Sequence, residues 1–445
     1  MIHCFIGALL HYLIVVPAGA QFRPVSRTTV LPPSLVYYEA VNAPSATPGL
    51  SRIDILYRID LSFFIPARDP SNPLFSEFIR KGEVQIELQD STETTAARRI
   101  PKFEEPTTST EVKPGTLWHT GMVSFDIVPG EYTISFAIED LESERTVKER
   151  TRKVLARDFP TDKPAASSPL LVAPPGRVTG DSISIASICF GGGMRFGHDA
   201  SLVLEIVNAD STNLTSAGLR VTRGSTGPDA DSLVVSDEAV EPLILPGMTL
   251  LPKPGTPSFM IVRTERNSSV VILPFPAEKL PTGSHILEVT IGEITVTHPL
   301  PVIWPDMPRS LLNPVYAMDA LRFITTTEEL DSVNSGPEDE RMKHFEDFWK
   351  AKDRTPETAF NEVMTEYYTR VDHAAANFGT LREPDGTWTD RGRIHVLYGT
   401  PTRVERNLDP AGFIEVWSYE TARKKFIFLD ETKTGNYVLT STRPL

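Results

Sequence analysis

Residues 53–63 read IDILYRIDLSF. Every odd-numbered position (Ile53, Ile55, Tyr57, Ile59, Leu61, Phe63) is apolar, and the positions between are mostly Asp, Arg and Ser. Successive side chains of a strand point to opposite faces, so a period of two held this long predicts a β-strand with one buried face. Val84, Ile86 and Leu88 repeat the pattern, as do Tyr132, Ile134, Phe136 and Ile138 after the turn Pro129-Gly130. The connections carry little helical periodicity, which predicts antiparallel sheets. A content of 38 prolines favours strands, turns and linkers over long helices.

A second strand-rich region follows. Gly283 precedes His285, Leu287, Val289 and Ile291 at the same offsets at which Gly130 precedes Tyr132, Ile134, Phe136 and Ile138. The spacing predicts two copies of one sandwich plan. Residues 161–169, TDKPAASSP, read as a linker. The expected fold is therefore mainly β with an α+β C-terminal part. Two tandem Ig-like β-sandwiches occupy residues 30–160 and 170–304. Residues 306–445 then form helices packed on a small antiparallel β-meander.

The first twenty residues, MIHCFIGALLHYLIVVPAGA, read as a signal peptide. The apolar run from Phe5 to Val16 is shorter than the ~20 residues that span a bilayer, and Ala18-Gly19-Ala20 has the small-x-small form of a cleavage site. An uncleaved N-terminal anchor is the alternative. After cleavage no membrane-spanning segment is expected. Only Cys189 would remain, so no internal disulfide is expected. A net charge of −14 argues against nucleic acid as a partner.

The glycine-rich segment 189–199, CFGGGMRFGHD, has the look of a phosphate loop, but the strand-like SLVLEIV follows it instead of a helix. It reads as a hairpin loop. Cys189, His198 and Asp199 match no metal-ligand spacing. Beyond Pro308 the pattern turns helical. Residues 314–333 predict one helix or two, with Met318, Leu321 and Ile324 on a shared face. A charged helix is expected from Ser335-Gly336-Pro337 to about Asp353, with Met342, Phe345, Phe348 and Trp349 as its stripe. Thr355-Pro356-Glu357 predicts the start of a longer helix. Its face would be Phe360, Val363, Met364, Tyr367, Val371, Ala374 and Phe378, with Gly379 as its stop and Asn361, Glu362, Glu366 and Arg370 off the stripe.

The end of the chain holds DGTWTDRGRIHVLYGTP at 385–401, then FIEVWSYE, KKFIFLDE and GNYVLTS. Alternation at Ile394, Val396 and Tyr398, and again in the later runs, predicts a meander of three or four strands. The first of these stretches admits three readings. In one, Thr389 and Asp390 bond backbone N–H groups, Trp388 covers the core edge, and Arg391 pairs with Glu366 or another acid. In another, Trp388, Arg391 and Tyr398 form an exposed surface for a partner. In the third, Asp390 works with Glu366 or Glu362 as an acid/base pair. No H-E-x-x-H, G-x-S-x-G or Cys/His arrangement is present, and no catalytic residue, metal or cofactor is assigned.

FW at 348–349, Asp353 with Thr355-Pro356, Asn361-Glu362, EYYTRV at 366–371, AAANF at 374–378, WTDRGRI at 388–394, YGTP at 398–401 and VWSY at 416–419 together resemble the GWxTD-domain family of bacterial envelope proteins. Here Trp388 stands directly before Thr389-Asp390, one place later than in the family's name motif. The resemblance implies an exported, periplasmic or cell-surface protein with sandwich domains ahead of the motif, and implies no reaction. The expected function is non-enzymatic binding or scaffolding in the envelope, with an envelope protein or glycan as partner. The candidate partner-binding residues are Trp388, Asp390, Arg391, Tyr398, Glu366 and Arg370. An envelope hydrolase using carboxylates of the C-terminal module is the alternative.

Overall fold

A computed structural model describes residues 34–68, 78–149, 151–174, 183–188, 190–224 and 234–445. The expected signal segment 1–20 and Cys189 lie outside the described residues.

The strand Ser51–Asp60 is the centre of a three-stranded antiparallel sheet, between Val36–Pro44 and Trp118–Ile127. A seven-stranded sheet faces it, built around Phe78–Gln89 and Gly130–Asp140. Ile53, Ile55, Tyr57 and Ile59 meet Val84, Ile86, Leu88, Ile134, Phe136 and Ile138 between the two, as the period of two predicts. Two features depart from the sequence reading. Leu61–Phe63 leaves the strand as a turn of 3₁₀ helix, because the Asp60 carboxylate accepts from Ser62 N and caps it. The other face of Ser51–Asp60 is buried as well. Leu56 joins Val41 and Met122 in a core shared with Leu170, Val172, Val203, Phe259, Ile261 and Val270 of the second region. Arg52 and Asp54 lie in the same buried zone. Arg52 Nε stands 2.9 Å from Asp54 Oδ2, and its Nη2 donates to the Leu250 carbonyl across the boundary.

The duplication extends over five elements. Asp210 caps a second 3₁₀ turn, Ser211–Asn213, by accepting from Thr212 N, as Asp60 does in the first copy. In each copy the strand before the turn, Ser51–Asp60 or Ala200–Val207, pairs with Trp118–Ile127 or Ser268–Phe275 in one sheet. The strand after it, Phe78–Gln89 or Ala217–Arg223, pairs with the glycine-led strand Gly130–Asp140 or Gly283–Ile291 in the facing sheet.

The second region also carries a third sheet, formed by Ile183–Ala186, Ser258–Arg263 and Met248–Lys253, which the sequence reading did not anticipate. Its Ile185, Leu250, Phe259 and Ile261 help to build the shared core. Residues 161–169 are no free linker. Ala165–Ala166 pairs with Ala200–Val207, and Ser168 N donates to the Asn42 carbonyl. The segment expected as a hairpin loop at 189–199 is packed. Met194–Arg195 pairs in parallel with Ile294–Ile303, and Phe190, Met194 and Phe196 are buried. Phe196 lies 5.1 Å from the Trp304 ring and 5.3 Å from Phe360, which ties the second region to the C-terminal one.

Five helices follow: α1 (Pro314–Ala320), α2 (Thr327–Val333), α3 (Glu338–Lys350), α4 (Glu362–Asn377) and α5 (Asp390–Tyr398). Helix α4 buries Met364, Tyr367, Tyr368, Val371 and Ala374, a stripe of three- and four-residue steps. It starts at Glu362, not at Thr355. Asn361 is the cap, accepting from Met364 N and donating from Nδ2 to the Trp349 carbonyl. The Thr355-Pro356 signal belongs to a turn, in which Thr355 N bonds Asp353 Oδ1. A continuous core joins Val302 and Trp304 of the second region to Met318, Leu321, Trp349, Tyr368 and Val371.

The strand expected at Ile394–Tyr398 is helix α5. Thr389 caps it through Oγ1, which accepts from Gly392 N, and Asp390 sits at its positive end. Ile394, His395 and Val396 are buried in succession, so neither period is legible. The meander has four strands, Arg403–Asp409, Gly412–Tyr419, Lys424–Asp430 and Val438–Pro444, paired in chain order. The core of its covered face is Ile394, Trp417, Tyr419, Phe426 and Phe428. Among the described residues no helix is long and apolar enough to cross a membrane.

Candidate functional site

The stretch DGTWTDRG, 385–392, lies where α4, α5, the region after α1 and the meander meet. Asp385 accepts from Thr387 N and caps the 3₁₀ turn Gly386–Trp388. A Cβ at position 386 would stand 2.1 Å from the Ala374 carbonyl oxygen, so only glycine lets this turn lie against the end of α4. Thr387 is fully buried. Its hydroxyl donates to the Val371 carbonyl at 3.3 Å and is hydrogen-bonded to Tyr316 Oη at 2.9 Å. A Cβ at position 392 would fall 1.9 Å from the Gly386 carbonyl oxygen, so α5 also touches the turn through bare backbone.

Trp388 is half-buried. It packs on Tyr316 at 5.8 Å and Phe323 at 5.5 Å between ring centres, with the Arg322 guanidinium 4.6 Å over its ring. Asp390 Oδ2 accepts from Leu439 N at 2.8 Å, pinning the last strand of the meander to the start of α5. Arg391 faces the sheet. Its guanidinium lies 3.5 Å from Glu415 Oε2 and 4.3 Å from the Tyr437 ring centre, and donates to the Gly435 carbonyl. Of the expected partners, Glu366 or another acid, it is another acid, Glu415, that Arg391 meets, while Glu366 holds Arg370 at 2.7 Å, one turn along α4. Arg370 reaches the backbone at Gly399, where its charge opposes the negative end of α5. Tyr398 packs between Tyr419 and Phe426, and its hydroxyl accepts from Lys424 Nζ at 3.0 Å.

The structure thus brings Trp388, Asp390, Arg391 and Tyr398 into one module but turns them towards different neighbours. Trp388 faces Tyr316, Phe323 and Arg322, Asp390 the last strand, Arg391 the loop and core around Glu415, and Tyr398 the other end of α5. The carboxylates of the alternative reading are each engaged locally: Asp390 by Leu439 N, Glu366 by Arg370, and Glu362 by the Thr355 hydroxyl at 2.9 Å.

Four further residues, two in the module and two at the boundary between the first two regions, have no signal in the linear sequence. Glu415 is buried, accepts a hydrogen bond from Trp417 Nε1 at 2.8 Å, and lies within 4 Å of both Arg391 and Arg406. His395 is buried in α5 and stacks on His373 at 4.3 Å. Burial, with His373 and Arg370 adding repulsion, pulls its pKa down to about 4, and its Nδ1 has no hydrogen-bond partner among the described residues. At the boundary between the first two regions, the Glu39 carboxyl accepts from the Ser187 hydroxyl at 3.1 Å and from the Gly192 amide. Burial pushes its pKa up to about 7. His298 Nε2 bonds the Gly192 carbonyl at 2.8 Å, and burial lowers its pKa.

These features define a chain of mainly antiparallel β-sheets ending in a compact α+β module whose motif residues knit its elements together. Residues 306–443 match the model of the GWxTD domain. No curated protein matches the chain. Among solved structures, domains 4 and 5 of the S-layer protein SbsC are similar at 12% identity, covering 49% of this chain and 97% of that one, with a TM-score of 0.12. A score that low carries no argument.

Proposed function

We propose that this chain is an exported, non-catalytic binding or scaffolding protein of the bacterial cell envelope, with its C-terminal module docking a protein or glycan partner. One observation supports the reading above the others: the three parts of the chain share cores. Val41, Leu56 and Met122 of the first region are buried among residues of the second, and Val302 and Trp304 of the second among the helices of the third. Apolar interfaces of this kind hold domains in fixed relation, which suits a protein that presents a surface. The carboxylates offered for hydrolysis serve local structure, which favours the non-catalytic reading. The pattern of residues 1–20 suggests export, and the resemblance of the C-terminal module suggests the envelope as address.

Because the module shares its core with the second region, truncation would expose apolar surface, and the test keeps the full chain. A photo-crosslinking amino acid replaces Leu381 or Val315 of the module, or Val128 or Leu155 of the first region, all exposed. Crosslinking is done in intact cells and followed by fractionation. The reading expects the protein outside the cytoplasm and one recurrent adduct from the module positions. Adducts confined to positions 128 and 155, or a cytoplasmic protein, would overturn it.

A further inference from the structure

The two edges of the C-terminal sheet differ. The strand Val438–Pro444 shifts register against its neighbour between Ile427 and Phe428, and it ends on a proline. Both are ordinary ways of blunting an edge. Arg403–Asp409 has neither. It pairs with Gly412–Tyr419 in unbroken register over its full length, and among the described residues it has no partner strand on its other side. Its sequence, RVERNLD, holds no Pro, Gly or Lys. An edge of this kind is a template for another strand.

The faces are unequal. Directly paired residues share a face, so Val404 lies beside Trp417, Arg406 beside Glu415 and Leu408 beside Phe413. Trp417 and Glu415 are buried, whereas Val404 is 41% exposed, Leu408 71% and Phe413 40%. The apolar face of the sheet therefore continues past the region that the helices cover.

We propose that this edge pairs antiparallel with the same edge of a second copy, about a dyad through Arg406, giving a continuous eight-stranded sheet. The strand's own sequence selects this occupant and this register. With Arg406 on the dyad, Arg403 faces Asp409, Val404 faces Leu408 and Glu405 faces Asn407. Opposite charges and apolar side chains then meet in both halves. A slip of two residues one way sets Glu405 against Glu405 and Val404 against Arg406. The opposite slip sets Glu405 against Asp409 and Arg406 against Leu408. A slip of one puts the apolar face against the polar one. The two Arg406 side chains meet at the dyad, and each lies 3.7 Å from Glu415 of its own chain, which offsets their repulsion. Arg403 now bridges Glu405 at 3.0 Å, and Asp409 accepts from Ala411 N, so both have capacity for the new pair.

The proposal is independent of the partner reading above. It is tested by sedimentation equilibrium of the full chain and four variants: Leu408→Lys, Arg403→Asp, Asp409→Arg, and the last two combined. The expected result is a concentration-dependent dimer that Leu408→Lys abolishes. Each charge reversal alone weakens it about tenfold, since two cross-strand pairs turn repulsive, and the combined reversal restores it. In a Cys4→Ser, Cys189→Ser background, Arg406→Cys should form a disulfide between copies on mild oxidation, while Leu251→Cys, exposed elsewhere, should not. A monomer at every concentration would overturn the proposal. So would a dimer indifferent to Leu408→Lys, single reversals that the combined variant fails to rescue, or no disulfide from position 406.

Discussion

Helix α5 contains a glycine where propensity alone would ask for alanine. Gly392 lies in the first turn of Asp390–Tyr398, and a Gly→Ala change inside a helix ordinarily stabilises by about 1 kcal/mol. Here the opposite is expected. The added Cβ would meet the Gly386 carbonyl oxygen at 1.9 Å, with the Gly386 carbonyl carbon and the Thr387 oxygen both at 2.9 Å. To reach even 3.0 Å, the turn and the helix must part by about 1.1 Å. That movement breaks two bonds that cap the helix, Thr389 Oγ1 to the Gly386 carbonyl at 2.8 Å and Gly392 N to Thr389 Oγ1 at 3.0 Å. Each is worth about 1 kcal/mol, and backbone overpacking adds about 1–3 kcal/mol. Clash and lost caps outweigh the propensity gain, and Gly392→Ala should destabilise the module by about 3 kcal/mol. Gly218→Ala is the control, because the nearest atom to its Cβ is Thr290 Cβ at 3.9 Å and its backbone is an ordinary strand. Thermal and urea unfolding followed by near-ultraviolet circular dichroism measure both. If Gly392→Ala is as stable as the parent, the close approach that organises the motif is refuted.

Three further predictions rest on buried charge. Glu39 has a folded-state pKa raised to about 7, so the stability it costs appears as pH rises through about 4.5 and is complete above 7. Glu39→Gln should therefore stabilise the chain at pH 8 by up to about 3 kcal/mol and leave it unchanged at pH 4, read from melting curves at the two values. His395, with its folded-state pKa lowered to about 4, opposes folding as pH falls below its ordinary 6.5, and fully so below 4. His395→Phe should remove that acid-sensitive limb, by up to about 3 kcal/mol at pH 4, with little effect at pH 8. Arg52→Ala leaves Asp54 buried without its 2.9 Å partner and withdraws a donor from the Leu250 carbonyl. It should cost about 3 kcal/mol in urea titrations, whereas Arg393→Ala, whose ion pair with Asp390 is long and exposed, should cost under about 0.5 kcal/mol.

The sequence is most legible where one face of an element is buried and the other is wet. Tyr132 to Ile138 and the stripe of α4 read correctly for that reason, and Ile53 to Ile59 read as a strand because the residues between them are mostly polar, although both faces of that strand are buried. It misleads where burial comes from elsewhere. Ser51–Asp60 carries Arg52 and Asp54 on what looks like a solvent face, because they bond each other and the next region. Helix α5 packs on more than one side, so Ile394, Val396 and Tyr398 mimic a strand, while its true marker, Thr389 placed three residues before Gly392, is a cap. The sheet Ile183–Ala186, Ser258–Arg263, Met248–Lys253 is built of short strands that gain their core only from other sheets. Of the duplication, the matched glycines were visible. The capping residues Asp60 and Asp210 carry the same information, and become telling only once the turns they cap are known. In the candidate site, the residue types of DGTWTDRG announced a special stretch. Their neighbours did not, since Arg391 finds Glu415, Gly435 and Tyr437 far along the chain, while Glu366, at a similar separation on the other side, is held by Arg370 on its own helix.

The most direct test of the idea that DGTWTDRG holds the module together is amide hydrogen exchange in the full chain carrying Trp388→Ala or Arg391→Gln. A joining role predicts faster exchange at a distance from each change: for Trp388→Ala in Pro314–Ala320 and the turn after it, for Arg391→Gln in Gly412–Tyr419 and the Gly435 loop, and for both in α5. Strands of the first region should be untouched. Exchange unchanged outside residues 385–392 in both variants would contradict it and return these side chains to the role of a free surface.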